Sequence, residues 1–215
     1  MVRERGSREA GGSRGVVARV EGSASDALDL ERARLFALLG RLLSEAPDAD
    51  LLGRLGGLAG EDGTPLGRAL AALAEAARQA DPATVAREHF DLFIGVGRGE
   101  LLPYASYYLT GFLHERPLAE LRGDLARLGI ARAAGVAEPE DHIAFLCETV
   151  AGLLEGRFPG GAEAASRLFA RHLRPWAARF FADLEAAQAA RFYRAVGTLG
   201  RTAIEIEQAA AELPS

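Results

Sequence analysis

Twice in this chain, at Thr64-Pro65 and Asp81-Pro82, a capping side chain stands directly before a proline. Thr and Asp oxygens can accept an orphan N–H of a helix's first turn, and proline lacks the N–H that would be unsatisfied there anyway. Both pairs therefore predict helix starts, the first running to about residue 79 and the second to Phe93. Upstream, Ser25 or Asp26 can cap a helix whose apolar stripe is Leu28, Leu35, Leu38, Leu39 and Leu42, ending before Pro47. Further helices are expected over 51–58, 105–114, 117–128, 138–155, 162–173, 175–187 and 190–213. No run alternates with period two, and no Asn-Gly or Asp-Gly separates β-branched stretches. The expected fold is all-α, a single helical-bundle domain of about eight to ten helices joined by short connections. It should occupy 25–215, with a linker at 129–137 that could join two lobes. Residues 1–24, rich in Arg, Gly, Ser and Glu and lacking the apolar core of a secretory signal, read as a disordered tail.

All 25 basic residues are arginine, and neither Lys nor Asn occurs. Both missing residues have AT-rich codons, so genomic base composition accounts for the bias. The net charge of −5 opposes nucleic-acid binding, which needs a basic face to displace counterions, and favours a basic partner. A lone cysteine, Cys147, excludes an intrachain disulfide or a thiolate cluster. Its setting in the stripe Ile143, Leu146, Val150 predicts a packed core thiol. No apolar run approaches the roughly 18 residues of a membrane span, so no stable membrane insertion is expected and the chain is placed in the cytoplasm.

The segments that could carry chemistry are Glu88–Tyr108, EHFDLFIGVGRGELLPYASYY, and EPEDH at Glu138–His142. The loop Gly95–Gly99 follows a helix, not a strand, and is separated from the next helix by Glu100–Pro103. It also lacks Gly-Lys-Ser/Thr, so it reads as a helix connection and not a phosphate cradle. In the Pro103–Tyr108 run, tyrosines offer an apolar body with a polar tip suited to a partly wet groove, and Ser106 can cap the helix that follows. Glu138, Glu140 and Asp141 would complement the dipole of a helix starting at Pro139. His142 would lie at the edge of the buried stripe, with Asp141 turned more toward water. No His-x-x-x-His or Glu-x-x-His spacing supports a metal. An Asp141/His142/Ser106 triad fails because adjacent helix residues project about 100° apart. No catalytic residue and no metal ligand are expected.

These motifs resemble those of the TorD/DmsD/NarJ-like chaperones of molybdoenzyme maturation. Leu92-Phe93, a variable loop, Pro103-Tyr104-Ala105-Ser106 and Glu138-Pro139-Glu140-Asp141-His142 match in order. One departure is visible: His89 stands at an aromatic position, with Phe90 displaced by one. The resemblance implies a chaperone that binds the twin-arginine signal peptide, or the apo form, of a molybdenum-cofactor-containing oxidoreductase. It would hold that catalytic-subunit precursor for cofactor insertion before export. The long loop followed by Leu-Leu-Pro-Tyr-Ala-Ser-Tyr-Tyr looks most like members associated with formate dehydrogenases. Phe93, Tyr104 and Tyr107 would form the walls of the client-binding groove, Glu138, Glu140 and Asp141 would pair with the client's arginines, and Pro103, Ser106 and His142 would complete the site. No cofactor is required on this reading, although a weak guanine-nucleotide contact or a transient molybdopterin contact is compatible with it, as is a monomer or a homodimer. The alternative is a small-molecule-sensing helical regulator, which would need a basic DNA-reading helix that is not found. An enzyme built in a helical bundle lacks a convergent acid/base set.

Overall fold

The protein structure is a computed structural model, and it describes residues 14–60, 63–133, 135 and 137–212, with side chains from residue 26 onward. Ten α-helices follow in order, and the described residues contain no strand. They are α1 (Arg14–Ser44), α2 (Ala49–Gly56), α3 (Pro65–Gln79), α4 (Pro82–His89), α5 (Ala105–Thr110), α6 (Arg116–Arg127), α7 (Ile143–Leu154), α8 (Gly161–Leu168), α9 (Ala177–Ala186) and α10 (Phe192–Ala211). Two wide π-helical turns, Phe90–Ile94 and Phe169–Leu173, continue α4 and α8. The all-α expectation is borne out. Helix α1 takes in residues 14–24 of the expected tail, since no proline interrupts it before Pro47, and residues 1–13 lie outside the described residues.

Several helix starts follow from local capping. Asp48, Thr64 and Asp81 each accept an N–H three residues on, at 2.8, 2.9 and 2.9 Å, and so fix the first turns of α2, α3 and α4. Two expectations need correction. Helix α5 stops at Thr110 rather than near His114, because Gly111 turns left-handed at φ 84° and its N–H closes on the Tyr107 carbonyl. The Glu138-Pro139 pair does not start a helix. Helix α7 begins at Ile143 with His142 as its N-cap, the ring Nδ1 accepting from the Ala144 N–H at 3.1 Å.

Helix α7 is buried on nearly every face, carrying Ile143, Leu146, Cys147, Val150, Ala151 and Leu153 into the core. It packs against α1 and α8, while α10 packs on α3 and α9. One hydrophobic cluster runs from Phe36 to Ile204 through all of these. The Cys147 thiol is fully buried within it, and burial pushes its pKa up, so it serves as a small apolar group. No helix among the described residues is long and apolar enough to cross a membrane.

The α9–α10 crossing depends on a missing side chain. A β-carbon added at Gly200 would lie 2.1 Å from the Phe181 ring, which is fully buried and has no room to retreat. Gly200→Ala should therefore destabilise the fold by about 1–3 kcal/mol through overpacking, outweighing the roughly 1 kcal/mol that Ala gains over Gly in helix propensity. Chemical denaturation checks this, and Phe181→Leu in the same chain should recover part of the loss.

Candidate client-binding site

The site is built on three carboxylates that reach across the chain to backbone N–H groups. Glu88, on the last turn of α4, is 6% exposed. Its oxygens accept from the N–H groups of Arg191 (2.8 Å), Phe192 (3.2 Å) and Tyr193 (2.6 Å), the first turn of α10. Glu100 accepts from Gln188 and Ala189 at 2.7 and 3.0 Å in the turn before it. Asp141 is 1% exposed, and its Oδ2 accepts from the Ser106 N–H at 2.8 Å. Together they pin both ends of the 88–106 segment against α7, α9 and α10.

Between these pins the π turn sets His89 and Phe93 together against Tyr193, with ring centroids 5.1, 5.6 and 5.5 Å apart. The His89 imidazole thus packs as an aromatic ring, and its Nε2 is buried with no hydrogen-bond partner. Gly95, at φ 62°, reverses the chain and donates its N–H to the Phe90 carbonyl at 2.7 Å. Glu100 and Leu101 then donate to the Asp91 and Leu92 carbonyls. These bonds on both flanks fold Gly95–Gly99 back onto the π turn as a connection.

Past the loop, a short antiparallel bridge joins Tyr104 to His142. Ile143 donates to the Pro103 carbonyl at 2.9 Å, and Ala105 donates to the Asp141 carbonyl at 3.0 Å. The bridge sets the Tyr104 ring edge-on to His142 at 5.1 Å and lets the Tyr104 hydroxyl donate to Glu138. Burial and the Glu138 carboxylate push the Tyr104 phenol above its ordinary pKa, keeping it a donor. Burial pushes the His142 imidazole down to about 4, against the pull of Glu138 and Asp141.

Pro103, Tyr104, Ser106, Glu138, Asp141 and His142 therefore come together around the bridge. Phe93 belongs to the adjacent His89–Tyr193 cluster. Tyr107 lies under Arg98 at 5.9 Å in a cavity of about 400 Å³, shared with Tyr108, Arg179 and Asp183. Three sequence expectations change. Asp141 faces inward, not toward water. Ser106 does not cap α5: it lies inside the helix, and its Oγ is fully buried with no hydrogen-bond partner. Glu140 is already ion-paired. Arg122 binds it at 2.8 Å and Arg132 approaches to 3.9 Å, and although burial would raise its carboxyl these contacts hold it below the usual range. Sequence reading missed Glu88, Glu100 and Arg122, whose partners lie 18 to 105 residues away, and Arg132, which reaches Ala137, Glu138 and Glu140 within the 129–137 connection and the turn that follows, where no helical spacing marks a pair. Of the carboxylates at the bridge, Glu138 is the exposed one. No group of three or more His, Cys, Asp or Glu among the described residues could hold a metal ion.

Two outcomes follow from this geometry. Replacing Ser106 with Ala removes a hydroxyl that makes no hydrogen bond, so thermal unfolding should show a change within about 0.5 kcal/mol of neutral, or a gain. His142 must stay neutral for Nδ1 to accept the Ala144 N–H, whereas the unfolded imidazole titrates near 6.5. In that window the unfolded chain binds the extra proton, so stability present above pH about 6.5 declines as pH falls toward 4. His142→Asn keeps a capping acceptor, and denaturation between pH 4 and 7 should show a flatter profile.

A family model described as "Nitrate reductase delta subunit" matches residues 60–182. The chaperone protein TorD of Aliivibrio fischeri is 38% identical over 66 residues, covering 30% of this chain and 31% of that protein. TorD of Vibrio cholerae is 30% identical over 112 residues, covering 48% and 51%. The chain's matches thus span a third to a half of the length of these curated relatives. The crystal structure of a protein described as a redox enzyme maturation protein, from Archaeoglobus fulgidus, superposes with a TM-score of 0.56 at 22% identity, covering 81% of this chain and 93% of that one. It establishes likeness of fold. The family match extends over more than half of the chain and takes in α3 to α8, the bridge and the 138–142 segment: the chain belongs to the nitrate reductase delta subunit family, the TorD/NarJ family.

Proposed function

We propose that this protein binds the twin-arginine signal peptide, or the apo form, of a molybdenum-cofactor-containing oxidoreductase in the cytoplasm and assists cofactor insertion before export. The observation that carries this reading is the exposed Glu138 carboxylate, held by the Tyr104 hydroxyl beside the partly buried His142 ring. A guanidinium fits such a carboxylate through charge-assisted hydrogen bonds. The flat faces of Tyr104 and His142 suit the apolar stem of an arginine, which carries its charge on an extended aliphatic chain. A signal peptide of this kind joins a basic end to an apolar stretch that can dock as a helix in a groove. Phe93 and Tyr107, both half-buried, are the candidate walls for that stretch. The Leu101–Tyr108 run supports a formate dehydrogenase as the client. No resident cofactor is needed, because no bond is made or broken.

The test is calorimetric titration with a synthetic twin-arginine leader peptide of a molybdoenzyme catalytic subunit. Binding should weaken as salt rises from about 0.05 to 0.5 M, since exposed charge pairs are screened. Glu138→Gln should weaken it about tenfold, the size of one lost charge-assisted contact of about 1.4 kcal/mol. A peptide with both arginines replaced by Gln should not bind measurably. Equal affinity for the two peptides would overturn the reading.

A further inference from the structure

We infer that Asp141 is a positioning residue for client recognition and makes no contact with the client's arginines; this rests on the function proposed above. Three observations point there. First, the Asp141 side chain is 1% exposed, so a guanidinium from outside has no path to it without opening the bridge. Second, the residue is attached twice to the start of α5: its backbone carbonyl accepts from Ala105 and its Oδ2 from Ser106. Those are N–H groups of the first turn of a helix whose own N-cap, Tyr104, supplies no side-chain acceptor. Third, the residue following Asp141 is His142, whose ring caps α7, and the residue preceding Ala105 is Tyr104.

One residue thereby ties the start of α5 to the start of α7, its side chain holding Ser106, its carbonyl holding Ala105 and its own chain leading directly into His142, and so fixes the spacing of the rings between them. Tyr104 and His142 meet at 5.1 Å because Asp141 holds both flanking backbones. If α5 slid away from α7, the Tyr104 hydroxyl would leave Glu138, and the exposed carboxylate would lose its orienting donor. What this role requires of residue 141 is an oxygen acceptor of the right length. Negative charge is not needed to make the contact, because the one donor to the side chain is the neutral Ser106 N–H, and the Ala105 N–H is taken by the backbone carbonyl. Direct recognition of arginine would require the charge.

The two roles separate on the amide isostere. Asp141→Asn keeps an oxygen for the Ser106 N–H and removes the charge, whereas Asp141→Ala removes both. Three variants, Asp141→Asn, Asp141→Ala and Glu138→Gln, would be titrated with the twin-arginine peptide at two salt concentrations. Amide hydrogen exchange at Ala105 and Ser106 would be followed in the unliganded proteins. The expected result is that Asp141→Asn binds within about twofold of the natural chain, with the same salt dependence and protected 105 and 106 amides. Asp141→Ala should lose at least about tenfold in affinity and expose those amides, while helices remote from the bridge stay protected. Loss of affinity in Asp141→Asn as large as in Glu138→Gln, with a shallower salt dependence and intact amide protection, would overturn the proposal in favour of direct contact. If the natural chain fails to bind the peptide, the proposed function falls. The exchange arm still decides positioning: amides 105 and 106 that stay protected in Asp141→Ala would refute it.

Discussion

The architecture around the site depends on carboxylates supplying acceptors that distant helices lack. Helix α10 begins after Arg191, whose side chain caps nothing, and α5 begins after Tyr104, which caps nothing either. A helix start leaves its first N–H groups without partners and carries a partial positive charge, so an anionic oxygen there gains both hydrogen bonds and dipole. Glu88 provides three such bonds to α10, Glu100 two to the turn before it, and Asp141 one to α5. A short segment, 88–106, is thus fixed to the body of the bundle at both ends. The loop and rings between those fixed points inherit their positions from them.

That arrangement explains which parts of the molecule were legible in the sequence. Thr64 and Asp81 act three residues away along the chain, and their helices start where those residues say, whereas α2 begins at Ala49 behind Asp48, ahead of the expected residue 51. Cys147 also matched its stripe, because burial follows a helical period that the sequence displays directly. Asp141 acts on a residue 35 positions earlier and Glu88 on one more than 100 positions later. Nothing in local spacing marks such a pairing. Glu138-Pro139 had the composition of a helix start, yet its carboxylates are committed sideways, to Tyr104 and Arg122, and the helix waits until Ile143. The motif itself was readable. The direction in which each of its side chains points was not.

The acidic segment is consequently less uniform than its five letters suggest. Glu140 is held by two arginines of the chain itself, from α6 and from the 129–137 connection, and Arg132 also donates to the Ala137 and Glu138 carbonyls. Asp141 is turned inward and Glu138 outward. Neighbouring carboxylates thus divide into one that braces the segment, one that joins helices and one that faces the solvent. Formal charge along a motif says little about the charge it presents.

The π turn at Phe90–Ile94 adds a last consequence. Its closing hydrogen bond runs from Gly95 back to Phe90, one residue wider than an α-turn. A single extra residue rotates everything after it by about 100° about the helix axis. Ahead of that turn, successive residues already point about 100° apart, so His89 faces Tyr193 inside while Phe90 lies under Arg87 toward the outside. The inward place, where a phenylalanine would make the wall entirely hydrocarbon, belongs to His89. The ring that occupies the place is an imidazole, and it carries into that wall a nitrogen still open to a hydrogen bond.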